Sequence, residues 1–348
     1  MNKKPKVLLI GSTVNPVHLK SYYNLMREMC SEILIIGSHQ VDFAPCETVS
    51  FSLKSPIGIL ETVKKIRKIA TDFQPDIIHV HQANSIGFLV SLANRNKYKQ
   101  VLTTWGDDVL IFPNKNIFFK ALTYTSLKYS DEITADAQIM ADSIYSFFGT
   151  KKKVVIANFG IEWDENLIRL PKEKIIYSNR LHDSLYNIDL IIKGSAEFLK
   201  NHPDWKLVVA ANGPLTEDLK IVAKESIPNN QVEFVGFVGP ADNQNWYLRA
   251  SMYVSIPDTD GTSISLLEAM GYGCIPVVSD LPANKEWIEN GENGIIVSTR
   301  SELNQSLEEA LQLNPDFVKS KNEEIILKKA TKEANRTIFN QIYQRLLS

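Results

Sequence analysis

Two carboxylates, Asp260 and Glu268, stand eight positions apart in the C-terminal third of the chain. Apolar residues recur at helical spacing between and after them, which predicts a helix that begins near Gly261. Asp260 would lie just outside this helix, and Glu268 about two turns into it, roughly 9 Å along the axis at ~1.5 Å per residue. The first amides of a helix lack intrahelical partners and carry the positive end of its dipole. The spacing therefore predicts a phosphate site between two carboxylates, separated about as far as the sugar and the ribose of a nucleotide sugar.

This segment resembles the Glu-x7-Glu element of the retaining family-four glycosyltransferases, which use nucleotide sugars and have the GT-B fold. The similarity continues in three downstream segments: Gly273–Asp280, Glu286–Ile288 and Asn293–Gly294. The resemblance implies that Asp260 contacts the donor sugar and that Glu268 holds the ribose. It also implies that the amides of Gly261, Thr262 and Ser263 bind the diphosphate. The chain departs from the family in its first carboxylate, which is Asp where Glu is usual.

A second part of the resemblance follows the apolar run Ile175–Ser178. Arg180 stands where the family has an arginine that clamps the diphosphate, a role that suits the planar guanidinium fork. The lysine that the family carries about five positions later is missing, and Leu185 and Tyr186 stand in its place. We therefore expect Arg180 and the helix N-terminus to stabilise the departing diphosphate, with the Tyr186 hydroxyl as a further donor.

Two glycine-containing turns extend the predicted donor site. Ala211-Asn212-Gly213-Pro214 resembles the Gly-x-Gly-Pro turn of the family, with Ala in place of the first glycine. Gly236 and Phe237 stand where the nucleotide base of the family packs against the backbone. Gly213, Gly236 and Phe237 are therefore predicted to bind the donor.

In the first half of the chain, Trp105-Gly106-Asp107-Asp108 occupies the place of the His-Gly-x-Asp loop of the family. Trp105 replaces the usual histidine, whereas Gly106 and Asp108 match. His81 ends a predicted strand, and Gly11 follows the first strand. We predict that these residues line the acceptor side of a cleft, although the sequence is equally compatible with structural roles for His81 and Asp108.

Asp258-Thr259-Asp260 also fits the DxD motif of the metal-dependent GT-A glycosyltransferases. In that fold the motif lies inside a single sheet domain, whereas here it precedes a helix late in a second α/β unit. Asp107 and Asp108 have no third ligand near them in the sequence. We therefore expect neither a metal nor a cofactor.

Short β-rich runs alternate with helical patterns along the whole chain, which predicts parallel sheets covered on both faces. The predicted strands are Val7–Ile10, Ile33–Ile36, Ile77–Val80, Val101–Thr104, Val154–Ile156, Ile175–Ser178, Leu207–Ala210, Val232–Val235, Met252–Ile256, Pro276–Val278 and Ile295–Val297. The fold class is therefore α/β with two tandem doubly wound, Rossmann-like domains, which the resemblance specifies as GT-B domains facing a cleft.

The domain boundary is predicted after Asn158. Residues 1–158 would form the acceptor-side domain and residues 159–332 the nucleotide-sugar domain. A long amphipathic helix is predicted over Glu323–Leu347, and its end, residues 333–348, would pack back on the first domain. Closure of the two domains would assemble the cleft and exclude water.

The composition agrees with two globular domains, because 348 residues exceed the usual size of one core and 44% are apolar. The three cysteines are widely scattered and form no disulfide pattern, which favours a reducing, cytoplasmic location. The basic N-terminus precedes only a short apolar run, Val7–Ile10, so neither a signal peptide nor a membrane span is expected.

The charge is unevenly divided, since residues 1–158 carry 19 Lys and Arg against 13 Asp and Glu, a net charge of +6, and the remainder carries −8. A basic surface can meet an anionic acceptor or membrane. The basic and aromatic stretch comprises Phe112, Lys115, Ile117, Phe118, Phe119, Lys120, Leu122, Tyr124 and Lys128. It is either helix core or, if Phe118 and Phe119 are exposed, an interfacial patch that touches the inner face of the cell membrane.

The sequence therefore predicts a retaining glycosyltransferase that moves a sugar from a nucleoside diphosphate sugar, with UDP favoured, to a hydroxyl of a glycan or polyprenyl-diphosphate-linked acceptor. Bacterial surface polysaccharide synthesis is the expected setting, and no nucleic-acid partner is expected. The resemblance implies front-face attack without a protein nucleophile, so Asp260 would orient the sugar. Two alternatives remain, a GT-B sugar-nucleotide epimerase and a non-catalytic relative that binds nucleotide sugars.

Overall fold

The computed structural model describes residues 4–148, 152–164, 166, 171–228 and 230–348. The chain forms two compact units, of which unit 1 comprises Met1–Phe159 and Lys332–Ser348 and unit 2 comprises Gly160–Thr331. The observed division therefore follows Phe159, one residue beyond the position expected from the sequence.

The described part of unit 1 contains a seven-stranded parallel sheet. Its strands are β1 Lys6–Ile10, β2 Glu32–Gly37, β3 Cys46–Thr48, β4 Ile77–His81, β5 Lys99–Thr103, β6 Glu132–Ala135 and β7 Val154–Ile156, in the spatial order β3-β2-β1-β4-β5-β6-β7. The first seven helices are α1 Val17–Met26, α2 Pro56–Phe73, α3 Ser85–Asn94, α4 Asp107–Leu110, α5 Phe112–Lys115, α6 Ile117–Lys128 and α7 Gln138–Phe148.

Local capping chemistry sets the starts of several of these helices. Ser55 caps α2, where its Oγ accepts a hydrogen bond from the Gly58 amide at 3.3 Å, and proline follows at the first helical position. Asn116 caps α6 by accepting from the Phe119 amide at 3.0 Å. Each cap satisfies one backbone N–H that has no partner within its helix.

Within its described residues, unit 2 contains a six-stranded parallel sheet in the order β10-β9-β8-β11-β12-β13. Its strands are β8 Glu173–Ser178, β9 Lys206–Ala210, β10 Val232–Gly236, β11 Ala250–Ser255, β12 Ile275–Ser279 and β13 Ile295–Val297. Its helices are α8 Ile188–Asn201, α9 Thr216–Ser226, α10 Pro240–Arg249, α11 Ile264–Gly271, α12 Pro282–Lys285, α13 Leu303–Gln312 and α14 Pro315–Lys329. The order of the strands reverses between β8 and β11.

The final helix, α15 Lys332–Leu347, belongs to unit 1. Phe339, Ile342 and Tyr343 are buried in the core that β1 and α1 also form. The predicted single helix over Glu323–Leu347 is wrong, because α14 ends before Ala330 and α15 begins after Thr331. The break arises because Thr331 bridges to Ile161 and the Ala330 carbonyl accepts from the Ile161 amide at 2.8 Å.

The predicted parallel α/β architecture is confirmed. Each predicted strand overlaps an observed one, but β3 and β6 were not predicted. Cys46–Thr48 has three residues and no long apolar side chain, whereas Glu132–Ala135 contains only Ile133 as a large apolar residue. Over the described ranges, no helix is both long and apolar enough to cross a membrane.

Candidate active site

The candidate site lies in unit 2, where the strand order reverses. Arg180 follows β8, and Asp260 follows β11, the strand paired with β8. Ligands of doubly wound sheets bind outside the carboxyl ends of the strands at such a reversal. The topology therefore brings the two predicted catalytic residues to the position where a ligand is expected.

Arg180 and Asp260 form an ion pair, with 2.7 Å between Nη1 and Oδ2. Arg180 Nη1 also donates to Ser263 Oγ at 2.6 Å, and the guanidinium carbon lies 4.4 Å from the centre of the Tyr186 ring. The Arg180 and Asp260 side chains are 12% and 21% exposed. Burial opposes the charge of Arg180, but the combined effect of the Asp260 carboxylate, Tyr253 and Tyr186 outweighs it, so the pKa of Arg180 is raised. The site thus holds a fixed, weakly hydrated cation against the face of Tyr186.

The helix after Asp260 starts later than predicted. α11 begins at Ile264 rather than near Gly261, because Ser263 is extended and its Oγ caps the helix by accepting from the Leu266 amide at 3.4 Å. Glu268 consequently lies just over one turn into the helix, about 6 Å along the axis at ~1.5 Å per residue, instead of about two turns.

The turn before α11 nevertheless presents unpaired donors. Within the described residues, the amides of Gly261, Ser263, Ile264 and Ser265 form no backbone hydrogen bond. Four amides at the positive end of a helix can receive an anion. The predicted phosphate position therefore lies beside the Arg180 guanidinium, which contacts Ser263 itself.

Thr262 fixes this turn to the segment that carries Trp287. Its side chain is buried, and its Oγ1 accepts a hydrogen bond from Trp287 Nε1 at 3.3 Å. Trp287 lies in the segment Glu286–Ile288 that follows the family pattern, but this contact was not predicted. Because the N–H of a buried tryptophan usually has a hydrogen-bond partner, the residue itself indicated that a contact was needed.

Glu268 lies at the other end of the site. Burial raises the pKa of its carboxyl group to about 7, and hydrogen bonds from Tyr247 and Asn243 offset this only in part. The Asn243 contact measures 3.3 Å between Nδ2 and Oε2. Glu268 can therefore change its charge near neutral pH, unlike an ordinary surface glutamate.

A polar network that was not predicted supports Glu268. Asn243 Oδ1 accepts from Tyr177 Oη at 2.7 Å and from Asn179 Nδ2 at 2.9 Å, and Asn179 Nδ2 also lies 2.7 Å from Tyr247 Oη. Tyr253 Oη donates to Asn179 Oδ1 at 3.3 Å. Tyr177 and Tyr253 are register partners on the central strands β8 and β11. In the sequence, this network could have been predicted from the tyrosines that interrupt the otherwise apolar central strands.

The two glycine turns lie at neighbouring strand ends. A Cβ on Gly213 would stand 2.4 Å from the His182 carbonyl oxygen, so the glycine allows the loop after β9 to approach the loop after β8. Gly236 has a φ of +70°, and Phe237 beside it is 78% exposed. Ala211 adopts a φ of +77°, a conformation that favours the glycine found there in the family turn.

In unit 1, Asp108 joins two loops. Its Oδ2 accepts from the Ala83 amide at 2.6 Å and its Oδ1 from the Trp105 amide at 3.0 Å. Burial outweighs these hydrogen bonds and raises the pKa of Asp108 to about 6. The carboxylate is enclosed by its own loops, which is the structural role that the sequence allowed; a ligand contact of Asp108 stays a prediction.

His81 and Gly11 are also enclosed. Trp105 Nε1 donates to His81 Nδ1 at 3.0 Å, and the buried His81 ring stacks on His79 at 4.7 Å. Burial holds the pKa of His81 well below its usual range, so the ring is neutral. A Cβ on Gly11 would lie 2.8 Å from the Leu19 side chain. These contacts give both residues a structural role within unit 1, and their place on the acceptor side stays a prediction.

Among the residues predicted on the acceptor side, Trp105 is half-buried. Gly106 is buried and has a φ of +102°. In the part of the chain that the structure describes, no group of three or more His, Cys, Asp or Glu side chains is placed to hold a metal ion.

Two family models match the chain. Residues 161–332 match the glycosyl transferases group 1 family, and residues 6–137 match the glycosyl transferase 4-like family. The chain belongs to these glycosyltransferases. The family resemblance drawn from Asp260, Glu268 and Arg180 is thereby confirmed at the level of family.

Curated relatives of this glycosyltransferase include an alpha-monoglucosyldiacylglycerol synthase of Streptococcus pneumoniae, 26% identical over 277 residues, which are 73% of this chain and 63% of that protein. The chain thus matches less than two thirds of that synthase. A GDP-mannose:cellobiosyl-diphosphopolyprenol alpha-mannosyltransferase of Xanthomonas campestris is 26% identical over 214 residues, 58% of this chain and 55% of that protein.

The solved structures establish the GT-B fold. A glycosyltransferase from Rickettsia africae superposes with a TM-score of 0.83 at 14% identity, covering 99% of both chains. HepE from Anabaena, solved with UDP-glucose, superposes with a TM-score of 0.77 at 14% identity, covering 97% of this chain and 99% of that one.

Proposed function

We propose that this glycosyltransferase moves a sugar from a UDP sugar to a hydroxyl group of a glycan or lipid-linked saccharide, with retention of configuration. The observation that carries the proposal is the contact among Arg180, Asp260 and Ser263 at the start of α11. It joins a half-buried guanidinium, unpaired amides and a carboxylate at the point where the strand order reverses.

The diphosphate would bind between Arg180 and the unpaired amides of Gly261 and Ser263, within the predicted stretch Gly261–Ser263. Departure of UDP increases the negative charge on the phosphate oxygens, and fixed donors stabilise this charge without reorganising. The Tyr186 ring holds the guanidinium from one side, a role that partly replaces the lysine of the family. We propose that these groups, rather than a divalent cation, neutralise the leaving group.

Glu268 would accept hydrogen bonds from the ribose hydroxyls, and the base would pack near Gly236 and the exposed ring of Phe237. UDP is favoured because HepE, a structure of the same fold, was solved with UDP-glucose. Gly213 would contribute by letting the loop after β9 approach the loop that carries Arg180.

Asp260 would orient the donor sugar. The ion pair between Asp260 and Arg180 supports this role, because the carboxylate lies beside the proposed diphosphate position and would accept a hydrogen bond from a sugar hydroxyl there. Positive charge that develops on the sugar ring would be stabilised by the same carboxylate. The acceptor oxygen would attack from the face that UDP leaves, so no covalent intermediate on Asp260 is required.

The acceptor would be carried on a lipid or presented near a membrane. Ile117 and Phe118 at the start of α6 are 80% and 54% exposed, and Lys115 and Lys120 are exposed beside them. Exposed apolar side chains among lysines suit an anionic lipid surface. The lipids in the names of the pneumococcal and Xanthomonas relatives, a monoglucosyldiacylglycerol and a cellobiosyl-diphosphopolyprenol, support this assignment.

The test is incubation of the full chain with UDP-glucose, UDP-galactose and UDP-N-acetylglucosamine, monitored by NMR. Slow release of UDP with the α-anomer of the free sugar appearing first supports a retaining transferase. An isomeric UDP sugar without UDP release would identify an epimerase. Binding of UDP without turnover of any donor, with or without added saccharides, would identify a non-catalytic relative.

A further inference from the structure

His182 lies two residues after Arg180, in the loop that follows β8. It is 1% exposed, although its neighbours in the chain, Leu181 and Asp183, are exposed. A polar ring buried this deeply requires hydrogen-bond partners for its nitrogens. These partners lie at the end of β9 and at the start of α9, so the histidine joins the loop that carries Arg180 to the adjacent strand of the sheet.

Both ring nitrogens of His182 are hydrogen-bonded. Nε2 lies 3.2 Å from the carbonyl oxygen of Ala210, the last residue of β9, and Nδ1 lies 2.8 Å from Oγ1 of Thr216, the first residue of α9. Burial lowers the pKa of His182, so the ring is neutral at pH 7 and carries one proton. Because a carbonyl oxygen only accepts, Nε2 holds that proton, and Nδ1 accepts from the Thr216 hydroxyl.

The backbone of His182 contacts the same segment. Its carbonyl oxygen accepts from the Leu215 amide at 3.1 Å, and its amide donates to the Asn212 carbonyl at 3.4 Å. Thr216 Oγ1, which is bonded to the ring, also accepts from the Gly213 amide at 2.9 Å. His182 thus holds residues 210–216 through two hydrogen bonds of its ring and two of its backbone.

The loop that follows β9 depends on contacts of this kind. Asn212 and Pro214 are exposed, so they add little to the packing of unit 2. Ala211 has a φ of +77°, a left-handed conformation that is unfavourable for a residue with a Cβ. The loop would therefore relax to other conformations if its hydrogen bonds to His182 were removed.

The same loop is bonded to the residues proposed to hold the base. The Ala211 amide donates to the Gly236 carbonyl at 2.7 Å. The side-chain amide of Asn212, in the orientation that satisfies both its oxygen and its nitrogen, accepts from the Phe237 amide at 3.2 Å. A continuous set of hydrogen bonds therefore leads from His182 through the loop after β9 to the loop after β10.

Arg180 is held independently of this set. Its Nη1 lies 2.7 Å from Asp260 Oδ2 and donates to Ser263 Oγ at 2.6 Å, and both partners precede α11. Loss of the His182 contacts should therefore displace the base side of the donor site and leave the diphosphate position intact. A ligand that needs both positions would be affected, whereas a ligand that needs only the second would not.

We propose that His182 is a positioning residue that fixes the base-binding loops relative to the diphosphate position, an inference that rests on the donor site proposed above. Its side chain is enclosed, so it acts through the loops after β9 and β10 and contacts no ligand. A nucleoside diphosphate binds both positions at once, and its affinity depends on their separation. Preorganised loops lower the ordering cost of that binding.

The test compares UDP with inorganic pyrophosphate, which lacks the base, by calorimetry on the full chain. His182→Phe keeps a ring of similar size and removes both ring hydrogen bonds, whereas Thr216→Val is a smaller change that removes the partner hydroxyl. In each variant the Kd of UDP is expected to rise about tenfold. The Kd of pyrophosphate should equal that of the wild type.

His202→Phe is the matched control. His202 follows α8 in the same unit, and its Nε2 contacts Glu308 Oε1 at 3.0 Å instead of the donor loops. This variant should leave the Kd of both ligands unchanged. Unchanged UDP affinity in His182→Phe and Thr216→Val would overturn the proposal. Equal weakening of UDP and pyrophosphate would also overturn it, because that result indicates general damage to the fold.

Hydrogen exchange measured by mass spectrometry tests the anchoring without a ligand. Peptides that cover residues 211–216 and 236–238 are expected to exchange about tenfold faster in His182→Phe than in the wild type, and residues 261–266 should keep the wild-type rate. Unchanged exchange in the first two peptides would contradict the proposal. A wild type that fails to bind UDP or pyrophosphate, with the expected exchange in His182→Phe, would refute the donor site and leave the anchoring of the loops standing.

Discussion

Affinity for UDP-glucose should depend on pH through Glu268. Burial raises the pKa of this carboxyl group to about 7 in the free protein. Only the ionised carboxylate has two oxygens that accept from the ribose diol, so binding should favour the deprotonated form. The affinity is therefore expected to be highest above pH 7 and to weaken as the pH falls through 7.

The magnitude follows from the ionised fraction. With a pKa of about 7 in the free protein and a much lower one in the complex, the Kd for UDP-glucose should rise about tenfold between pH 8 and pH 6. The diphosphate of UDP-glucose is a diester and does not titrate in this interval, unlike the terminal phosphate of UDP. Calorimetric titration in buffers of equal ionic strength measures the change.

Glu268→Gln provides the matched variant, because it keeps the shape of the side chain and removes the titration. Its Kd should be higher than that of the wild type at pH 8 and nearly constant from pH 6 to pH 8. A flat wild-type profile, or a Glu268→Gln profile with the same slope as the wild type, would refute the assignment of Glu268 to the ribose.

Three further predictions concern the remaining parts of the protein. Arg180→Ala should weaken UDP binding by about 1.5–3 kcal/mol, or roughly ten- to more than a hundredfold, because a charge-assisted contact is lost; unchanged affinity in calorimetry would place the diphosphate elsewhere. Replacing Lys115, Lys120 and Lys128 by Glu should abolish co-sedimentation with vesicles that contain anionic lipid, and wild-type binding should weaken as salt rises; indifference to lipid charge would argue for an acceptor that is not at a membrane. Ala211→Gly should relieve about 1–2 kcal/mol of left-handed strain, which offsets about 0.8 kcal/mol of lost methyl burial and about 0.5–1 kcal/mol of backbone entropy, so the unfolding temperature should stay close to that of the wild type. Ala223→Gly in α9 is its control and should lower the unfolding temperature, and an equal decrease in both variants would contradict the strain argument.

The sequence predicted the architecture well because its strands carry an unambiguous signal. Val7–Ile10 and Leu207–Ala210 are continuous apolar runs, as expected for parallel strands buried on both faces. The two missed strands lack that signal, since Cys46–Thr48 is short and lies at a sheet edge and Glu132–Ala135 has one large apolar residue. The break between α14 and α15 depends on pairing with Ile161, a contact that helical periodicity cannot reveal.

For the site, spacing and resemblance identified Arg180, Asp260 and Glu268 but not their interactions. The ion pair between Arg180 and Asp260 joins residues eighty positions apart, and only the adjacency of β8 and β11 brings them together. The start of α11 was misplaced because Ser263, rather than a residue near Gly261, supplies the cap. Burial of His81 and Asp108 likewise results from packing between loops of unit 1.

The most direct test of the central claim is the affinity for UDP, measured together with the rate of sugar transfer, in Asp260→Asn and Glu268→Gln. Asp260→Asn should bind UDP at least as well as the wild type, because Arg180 is released from its ion pair, and should slow transfer about a hundredfold. Glu268→Gln should weaken UDP and UDP-glucose alike, since both contain the ribose. An equal loss of UDP affinity in the two variants would contradict the division of sugar and ribose between the carboxylates of this site.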